Sequence, residues 1–183
     1  NPNRQQVETT VAALEGGHSA LAFASGNAAS YALLLSAPAG SHVIASRDSY
    51  RGTQVILDTY AARMGLNIEY VDVTDLDALR AAINNKTRLV YVETPTNPLI
   101  RIVDTAAVAE PCHAGNALLA GDNTCATPIR QRPFEHGAGL VVHSATKFLG
   151  GHSDLLAGLV VMREDGEVRE AIRHWQQFGG AVP

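Results

Sequence analysis

Short apolar runs alternate with segments of helical periodicity along the sequence, and this alternation constrains the fold more than any single residue does. The apolar runs predict strands over residues 20–24, 42–45, 66–71, 88–93, 117–120, 140–143 and 156–162. The periodic segments predict helices over residues 5–14, 28–35, 51–64, 76–83, 105–109 and 165–178. Regular alternation of the two is typical of α/β proteins. We therefore expect one domain with a mostly parallel sheet and helices on both faces.

Charge and composition narrow the classes of partner that the chain is expected to have. The formal net charge is -4 and no cluster of basic residues occurs, which argues against nucleic acid and anionic membrane surfaces. No apolar run has the length of a membrane span, and no secretory signal peptide is evident. Two cysteines, Cys112 and Cys125, do not make a disulfide framework. We expect free thiols and a cytoplasmic location.

The stretch 143–154 reads HSATKFLGGHSD and surrounds one lysine with small polar residues and glycines. It follows the apolar run 139–142, so Lys147 is expected near the end of a strand. A lysine amine can condense with an aldehyde to a Schiff base, and the hydroxyls of Ser144 and Thr146 could hold an anion beside it. The alternative is an ordinary exposed lysine, which is the commoner case for lysines in general.

Two other strand ends carry groups that suit a flat anionic ligand. Gly26 and Asn27 open a predicted helix, where backbone N–H groups can bind an anion. A glycine in a tight strand-to-helix turn is the alternative interpretation. Tyr50 follows the run 42–45, and its ring could lie on a flat cofactor. The alternative for Tyr50 is a half-buried packing tyrosine.

Polar residues also follow the runs 88–93 and 117–120. Two prolines flank Asn97 in Glu-Thr-Pro-Thr-Asn-Pro, which predicts either a fixed side chain or merely a rigid loop. Asp122 and Thr124 lie after the run 117–120. A carboxylate there could pair with a protonated ring nitrogen, and a turn or helix-cap aspartate is the alternative.

These weak signals fit one cofactor, pyridoxal 5'-phosphate (PLP). Its phosphate, aldehyde, pyridinium nitrogen, phenolic oxygen and flat ring each find a group among the residues above. The seven histidines are scattered without ligand spacing, so no metal site is predicted; His143 and His152 are interpreted as structural. Nucleotide-binding glycine motifs do not occur in the sequence.

Five blocks resemble one known family, in its order: NPNRQQVETTVAALEGG, AFASGNAA, ETPTNPL, GDNTCATP and HSATKFLGGHSDLLAGLVV. The family is the Cys/Met-metabolism group of PLP-dependent enzymes, which includes cystathionine γ-lyases and γ-synthases. The resemblance implies the large domain of PLP-dependent fold type I, which is similar to aspartate aminotransferase. It further implies a homotetramer built as a dimer of dimers.

The resemblance also implies roles for site residues. Lys147 and Tyr50 would be catalytic, Lys147 as the amine bonded to PLP and Tyr50 as a ring stacked on it that assists proton transfer. Asp122 would hold the pyridine nitrogen, and Asn97 the phenolic oxygen or the substrate carboxylate. The cofactor-binding set is Gly26, Asn27, Tyr50, Asn97, Asp122, Thr124, Ser144, Thr146 and Lys147.

The reaction implied is α,γ-elimination or γ-replacement on a sulfur-containing amino acid. The blocks LAFASG and ETPTNP and the terminal GGAVP most resemble γ-lyases and γ-synthases. Gly52 stands where methionine γ-lyases usually carry a cysteine. The alternatives are sulfhydrylation of an activated homoserine, β-elimination, or a non-catalytic remnant that serves in interaction or oligomerisation.

The resemblance covers residues 1–183 and implies that they form a PLP-binding large domain. We expect this sequence to lack the family's N-terminal arm and C-terminal domain. Two positions depart from the family pattern. Pro111 would destabilise a helix by about 3 kcal/mol if the helix ran through it. Gly121, where the family usually has a β-branched residue, is expected to weaken its strand.

Overall fold

A computed structural model describes residues 1–179 as a seven-stranded sheet flanked by helices. The strands are β1 (Ser19–Phe23), β2 (His42–Ser46), β3 (Asn67–Val71), β4 (Thr87–Glu93), β5 (Leu118–Asp122), β6 (Leu140–His143) and β7 (Gly158–Met162). The helices are α1 (Pro2–Glu15), α2 (Gly26–Leu34), α3 (Arg51–Val55), α4 (Leu76–Ala82), α5 (Thr105–Ala114), α6 (Thr127–Arg130) and α7 (Glu167–Phe178). Residues 180–183, most of the terminal GGAVP block, lie outside the described residues.

The strand order is β1-β7-β6-β5-β4-β2-β3. Strands β2 to β6 pair in parallel, whereas β7 is antiparallel to both β6 and β1. The predicted mostly parallel sheet is therefore confirmed. Strand β7 can reverse because the segment 144–157 before it contains no crossover helix. That segment is left at the carboxyl end of β6, and it carries Lys147.

Apolar side chains cover both faces of the sheet, because successive strand residues point to opposite sides. On one face, α1, α4 and α5 pack on side chains such as Val90, Leu119 and Val141. On the other face, α2, α3 and α7 pack on side chains such as Ala120 and Val142. The prediction of helices on both faces is confirmed. The same alternation decides which side each polar strand-end residue faces.

Several predicted boundaries were wrong by a few residues. Helix α5 runs to Ala114 with Pro111 inside it, whereas the periodic segment was expected to end at residue 109. The burial of Val108 and Cys112 against the sheet supports the helix beyond the lost N–H of Pro111. Strand β5 extends to Asp122, which is its last residue. Strand β7 begins at Gly158, because Leu156 belongs to the preceding loop.

The remaining differences concern helical details that periodicity does not resolve. The predicted helix 51–64 comprises α3, a π-helix (Ile56–Ala61) and a 3-10 turn (Ala62–Met64). Helix α6 and the 3-10 turn Pro133–His136 were not predicted. A Cβ at Gly121 would lie 3.3 Å from the Cβ of Pro133, so this glycine makes room for the turn. Among residues 1–179, no helix has the length and apolar character to cross a bilayer.

Candidate active site

A cavity of about 1110 Å³ opens at the carboxyl ends of β4, β5 and β6, beside the first turns of α2 and α3. This is where ligands bind in open α/β sheets. Every residue predicted for the cofactor site lines it: Gly26, Asn27, Tyr50, Asn97, Asp122, Thr124, Ser144, Thr146 and Lys147. Residues separated by more than a hundred positions in the sequence are thus brought to one place.

The start of α2 lies against the end of β6. Ser25 is the N-cap, and its Oγ accepts the backbone N–H of Ala28 at 3.1 Å. A Cβ on Gly26 would lie 2.6 Å from the Cβ of Ser144, so only glycine permits this approach. The amides of the first helical turn and the Ser144 hydroxyl consequently border one corner of the cavity. That corner has the donors that a phosphate requires.

The Asp122 carboxylate is held by two hydrogen bonds. Its Oδ2 accepts the O–H of Tyr91 at 3.0 Å, and its Oδ1 accepts the backbone N–H of Thr124 at 3.1 Å. The Tyr91 hydroxyl also lies 3.1 Å from Ser30 Oγ. Burial, followed by the charge of Asp122, raises the pKa of Tyr91 well above its usual value, so the phenol stays a donor. The sequence offered no signal for Tyr91, which is one apolar position in a buried strand.

Lys147 lies in the turn after β6, exposed at the cavity. Its backbone N–H donates to Ser144 O at 3.0 Å, and its carbonyl accepts the N–H of Gly151 at 2.7 Å. The Thr146 hydroxyl braces the same turn, with Oγ1 3.1 Å from Ala157 N and 3.2 Å from Ala157 O. The turn is fixed by its own backbone, while the Lys147 amine remains free to reach into the cavity.

Tyr50 directly precedes α3 and exposes 42% of its surface, so it is half-buried and also lines the cavity. Its backbone N–H donates to Glu93 Oε2 at 2.6 Å. A Cβ on Gly52 would lie 2.3 Å from Tyr50 Cε1. The observed ring position therefore requires glycine at position 52.

The loop after β4 carries Asn97 to the cavity. Thr96 closes the loop on Arg101: its N–H donates to Arg101 O at 3.0 Å, and its Oγ1 accepts the Arg101 N–H at 3.0 Å. The Arg101 guanidinium pairs with Asp48 and, at 3.2 Å, with Asp72. These contacts tie the Asn97 loop to the segment that bears Tyr50.

Glu93 and Cys125 are among the further polar residues that line the cavity without having been assigned a role from the sequence. Glu93 is the last residue of β4, and Cys125 follows β5. Burial, then the charges of Glu93 and Asp122, raise the pKa of the Cys125 thiol. The position of Glu93 at a strand end, like that of Asp122, was a signal that could have identified it.

The histidines behave as structural residues, as expected. His143 is fully buried, and its Nε2 lies 2.5 Å from Glu15 Oε1. His152 Nδ1 lies 3.0 Å from Gly150 O within its own loop. No cluster of potential metal ligands occurs within residues 1–179.

Comparisons with known proteins agree on one family. The family model described as "Cys/Met metabolism PLP-dependent enzyme" matches residues 1–183. The chain is 44% identical over 183 residues to the cystathionine gamma-synthase/O-acetylhomoserine (thiol)-lyase of Bacillus subtilis, covering 100% of this chain and 49% of the relative. It is 42% identical over 182 residues to a cystathionine beta-lyase of Lactococcus lactis, covering 48% of that protein.

Solved structures that match the chain include cystathionine gamma-lyases. The cystathionine gamma-lyase from Lactobacillus plantarum, complexed with L-serine, superimposes with a TM-score of 0.95 at 42% identity. A cystathionine gamma-lyase from Micromonospora echinospora gives a TM-score of 0.95 at 38% identity. In both cases 100% of this chain and 48% of the other are covered. The chain therefore spans about half the length of the relatives that it matches.

Proposed function

The chain belongs to the Cys/Met-metabolism family of PLP-dependent enzymes, and from that membership we propose that it is the cofactor-binding domain of a transsulfuration enzyme. The proposed reaction is α,γ-elimination or γ-replacement on a sulfur-containing amino acid, as in cystathionine γ-lyases and γ-synthases. The observation that carries the proposal is the presence of Lys147 and Asp122 in the wall of one cavity, together with every other predicted cofactor residue.

The residues around the cavity fit PLP. Helix-start amides and the Ser144 hydroxyl suit the phosphate, and Asp122 suits a protonated pyridine nitrogen. The Tyr50 ring is exposed to the cavity and can cover a flat ring. Asn97 offers an amide to the phenolic oxygen or to a substrate carboxylate. Thr124 supports this arrangement by donating its N–H to Asp122.

When bound, PLP supplies an aldehyde for Lys147 and a ring that takes up the charge that develops at the substrate's Cα. The Asp122 carboxylate, oriented by Tyr91 and Thr124, would pair with the ring nitrogen. The Lys147 amine would be the base beside the substrate Cα and would carry the proton onward. Tyr50 assists proton transfer at the leaving group.

The relatives' names do not separate the possible reactions. Proteins named as a γ-synthase/thiol-lyase and as a β-lyase match at 44% and 42% identity. Sulfhydrylation of an activated homoserine and β-elimination therefore remain the second candidates. The non-catalytic alternative is disfavoured, because no residue of the predicted cofactor set is missing from the cavity.

The proposal extends to the assembly and location. Residues 1–183 form the PLP-binding large domain of a cytoplasmic homotetramer, with an amino acid as substrate and no nucleic-acid or membrane partner. Apolar side chains that are more than half exposed support an interface with further protein: Leu99, Ile100, Ile102, Ile129, Phe148, Leu156 and Phe178.

Lys147 and Lys86 are the two lysines of the sequence, so the chain provides its own matched control. In the full-length gene product, Lys147→Ala should abolish the visible absorbance of lysine-bound PLP, and Lys86→Ala should retain it. Products from cystathionine then identify the reaction. Cysteine with a four-carbon keto acid indicates γ-elimination, and homocysteine with pyruvate indicates β-elimination. An unchanged spectrum in Lys147→Ala would remove the lysine from its proposed role.

A further inference from the structure

Glu93 occupies a position in the cavity that the proposed function leaves without a role. It is the last residue of β4, and its pairing partner in the neighbouring strand is Asp122. The two side chains therefore project to the same face of the sheet. Glu93 is only 4% exposed, yet it lines the cavity.

The Glu93 carboxyl joins two loops of the site. Its Oε2 accepts the backbone N–H of Tyr50 at 2.6 Å. The backbone N–H of Asn97 faces the same carboxyl and lowers its pKa. Tyr50 and Asn97 are the residues proposed to contact the ring and the phenolic oxygen. One buried side chain thus holds the backbone of Tyr50 and lies beside the backbone of Asn97.

The surroundings of Glu93 favour its neutral form. Burial is the largest cause and the negative charge of Asp122 the second, and together they raise the pKa of Glu93 to about 8. The N–H groups of Tyr50 and Asn97 oppose this shift without cancelling it. The titratable groups around the cavity are Asp122, Tyr91, Cys125, Tyr50, Lys147 and Asp154.

We propose that Glu93 is a positioning residue that, as a neutral carboxylic acid, holds the Tyr50 backbone beside the Asn97 loop, so that the Glu93–Asp122 pair carries one negative charge. This inference rests on the proposed function. A neutral acid still accepts N–H donors through its carbonyl oxygen. A second negative charge beside Asp122 would instead destabilise both carboxylates.

Glu93→Gln is the decisive variant, because glutamine has the shape and the acceptor of the protonated acid. Glu93→Ala removes the acceptor, and Glu135→Gln, at an exposed position, is the control. Each full-length protein is titrated with PLP by visible absorbance. Loss of the acceptor for the Tyr50 N–H predicts an affinity about 10-fold weaker for Glu93→Ala at neutral pH, and Glu93→Gln should restore most of it. Glu93→Gln as weak as Glu93→Ala would overturn the neutral-acid role.

The pH dependence separates positioning from simple packing. As pH rises through about 8, the wild type should lose PLP affinity relative to Glu93→Gln, because Glu93 ionises beside Asp122. Every other titratable group is the same in both proteins, so their difference isolates Glu93. A constant affinity ratio across this range would contradict the inference.

A second readout needs no cofactor. The pKa of Glu93 is raised from 4.5 to about 8 in the folded state. The stabilisation that protonated Glu93 gives the fold is therefore fully present below pH 4.5 and is lost as pH rises to about 8. Glu93→Gln should lack this decline, whereas Glu135→Gln should keep it. If the wild type fails to bind PLP at all, the proposed function fails, and the unfolding profile still decides whether Glu93 is neutral.

Discussion

Two polar clusters lie back to back at the carboxyl ends of the central strands. The cavity cluster consists of Glu93, Asp122 and Ser144. The Glu15 cluster consists of Glu15, Asn123 and His143. Asp122 and Asn123 are neighbours in the chain but face opposite sides, as do Ser144 and His143, because side chains alternate along a strand. The ends of β5 and β6 thus contribute residues to both clusters.

The clusters differ in what their polar groups contact. In the Glu15 cluster, Glu15 and His143 are completely buried, and Glu15 Oε1 accepts from Asn123 Nδ2 at 2.7 Å. These groups join the end of α1 to the sheet. The residues of the cavity cluster line an open cavity instead. We therefore expect adjacent residues to contribute to stability on one face and to cofactor binding on the other.

The largest expected effect is on stability, from Glu15→Ala. This variant leaves His143 and Asn123 buried without their carboxylate, which should lower the unfolding free energy by about 3–5 kcal/mol. Urea unfolding measures it. Glu110→Ala, which breaks an exposed pair with Arg80, is the control and should cost about 0–1 kcal/mol. Equal losses of unfolding free energy in the two variants would contradict the structural role of the Glu15 cluster.

Asp122→Asn should have the opposite profile, with a large effect on PLP affinity and a small effect on stability. The neutral amide loses the charge that pairs with the ring nitrogen, so PLP affinity should fall by about 10- to 100-fold, the worth of one charged hydrogen bond. Unfolding free energy should change much less, since the amide can still pair with Tyr91 and Thr124. The pKa of Glu93 should also fall, because a neighbouring charge is gone. Unchanged PLP affinity would contradict the role of Asp122.

Tyr91→Phe sharpens the comparison, because Tyr91 supports the cavity cluster from within the core. The variant removes one hydrogen bond to Asp122, so it should reduce unfolding free energy by about 1 kcal/mol and weaken PLP binding several-fold. Unfolding and absorbance titration on the same preparation give both values. A stability loss without any change in affinity would place Tyr91 with the structural residues only.

The smallest expected effect is that of Gly52→Ala. The added Cβ would lie 2.3 Å from Tyr50 Cε1, so the ring must shift away from its observed position. We expect a few-fold loss of PLP affinity and a stability change within about 1 kcal/mol, since the displaced ring is largely exposed. In a Tyr50→Ala background the same substitution should have no further effect on affinity. An equal loss of PLP affinity in the Tyr50→Ala background would contradict the explanation that Gly52→Ala acts by displacing the Tyr50 ring.

The sequence predicted what depends on local pattern and missed what depends on contacts across the sheet. Alternating apolar runs predicted the strands and both covered faces, and small polar residues beside Lys147 predicted a site at a strand end. The partners of Asp122 and Glu15 lie 31 and 128 residues away, and no periodicity relates them. Helix α5 passes through Pro111 because buried neighbours outweigh a local preference.

The most direct test of the account is to reduce the PLP-treated full-length protein with borohydride and map the labelled peptide by mass spectrometry. Reduction fixes the cofactor on whichever amine it has condensed with. We predict one pyridoxyl group on Lys147 and none on Lys86. A label on Lys86 alone, or none on either lysine, would contradict the assignment of the cavity as a PLP site.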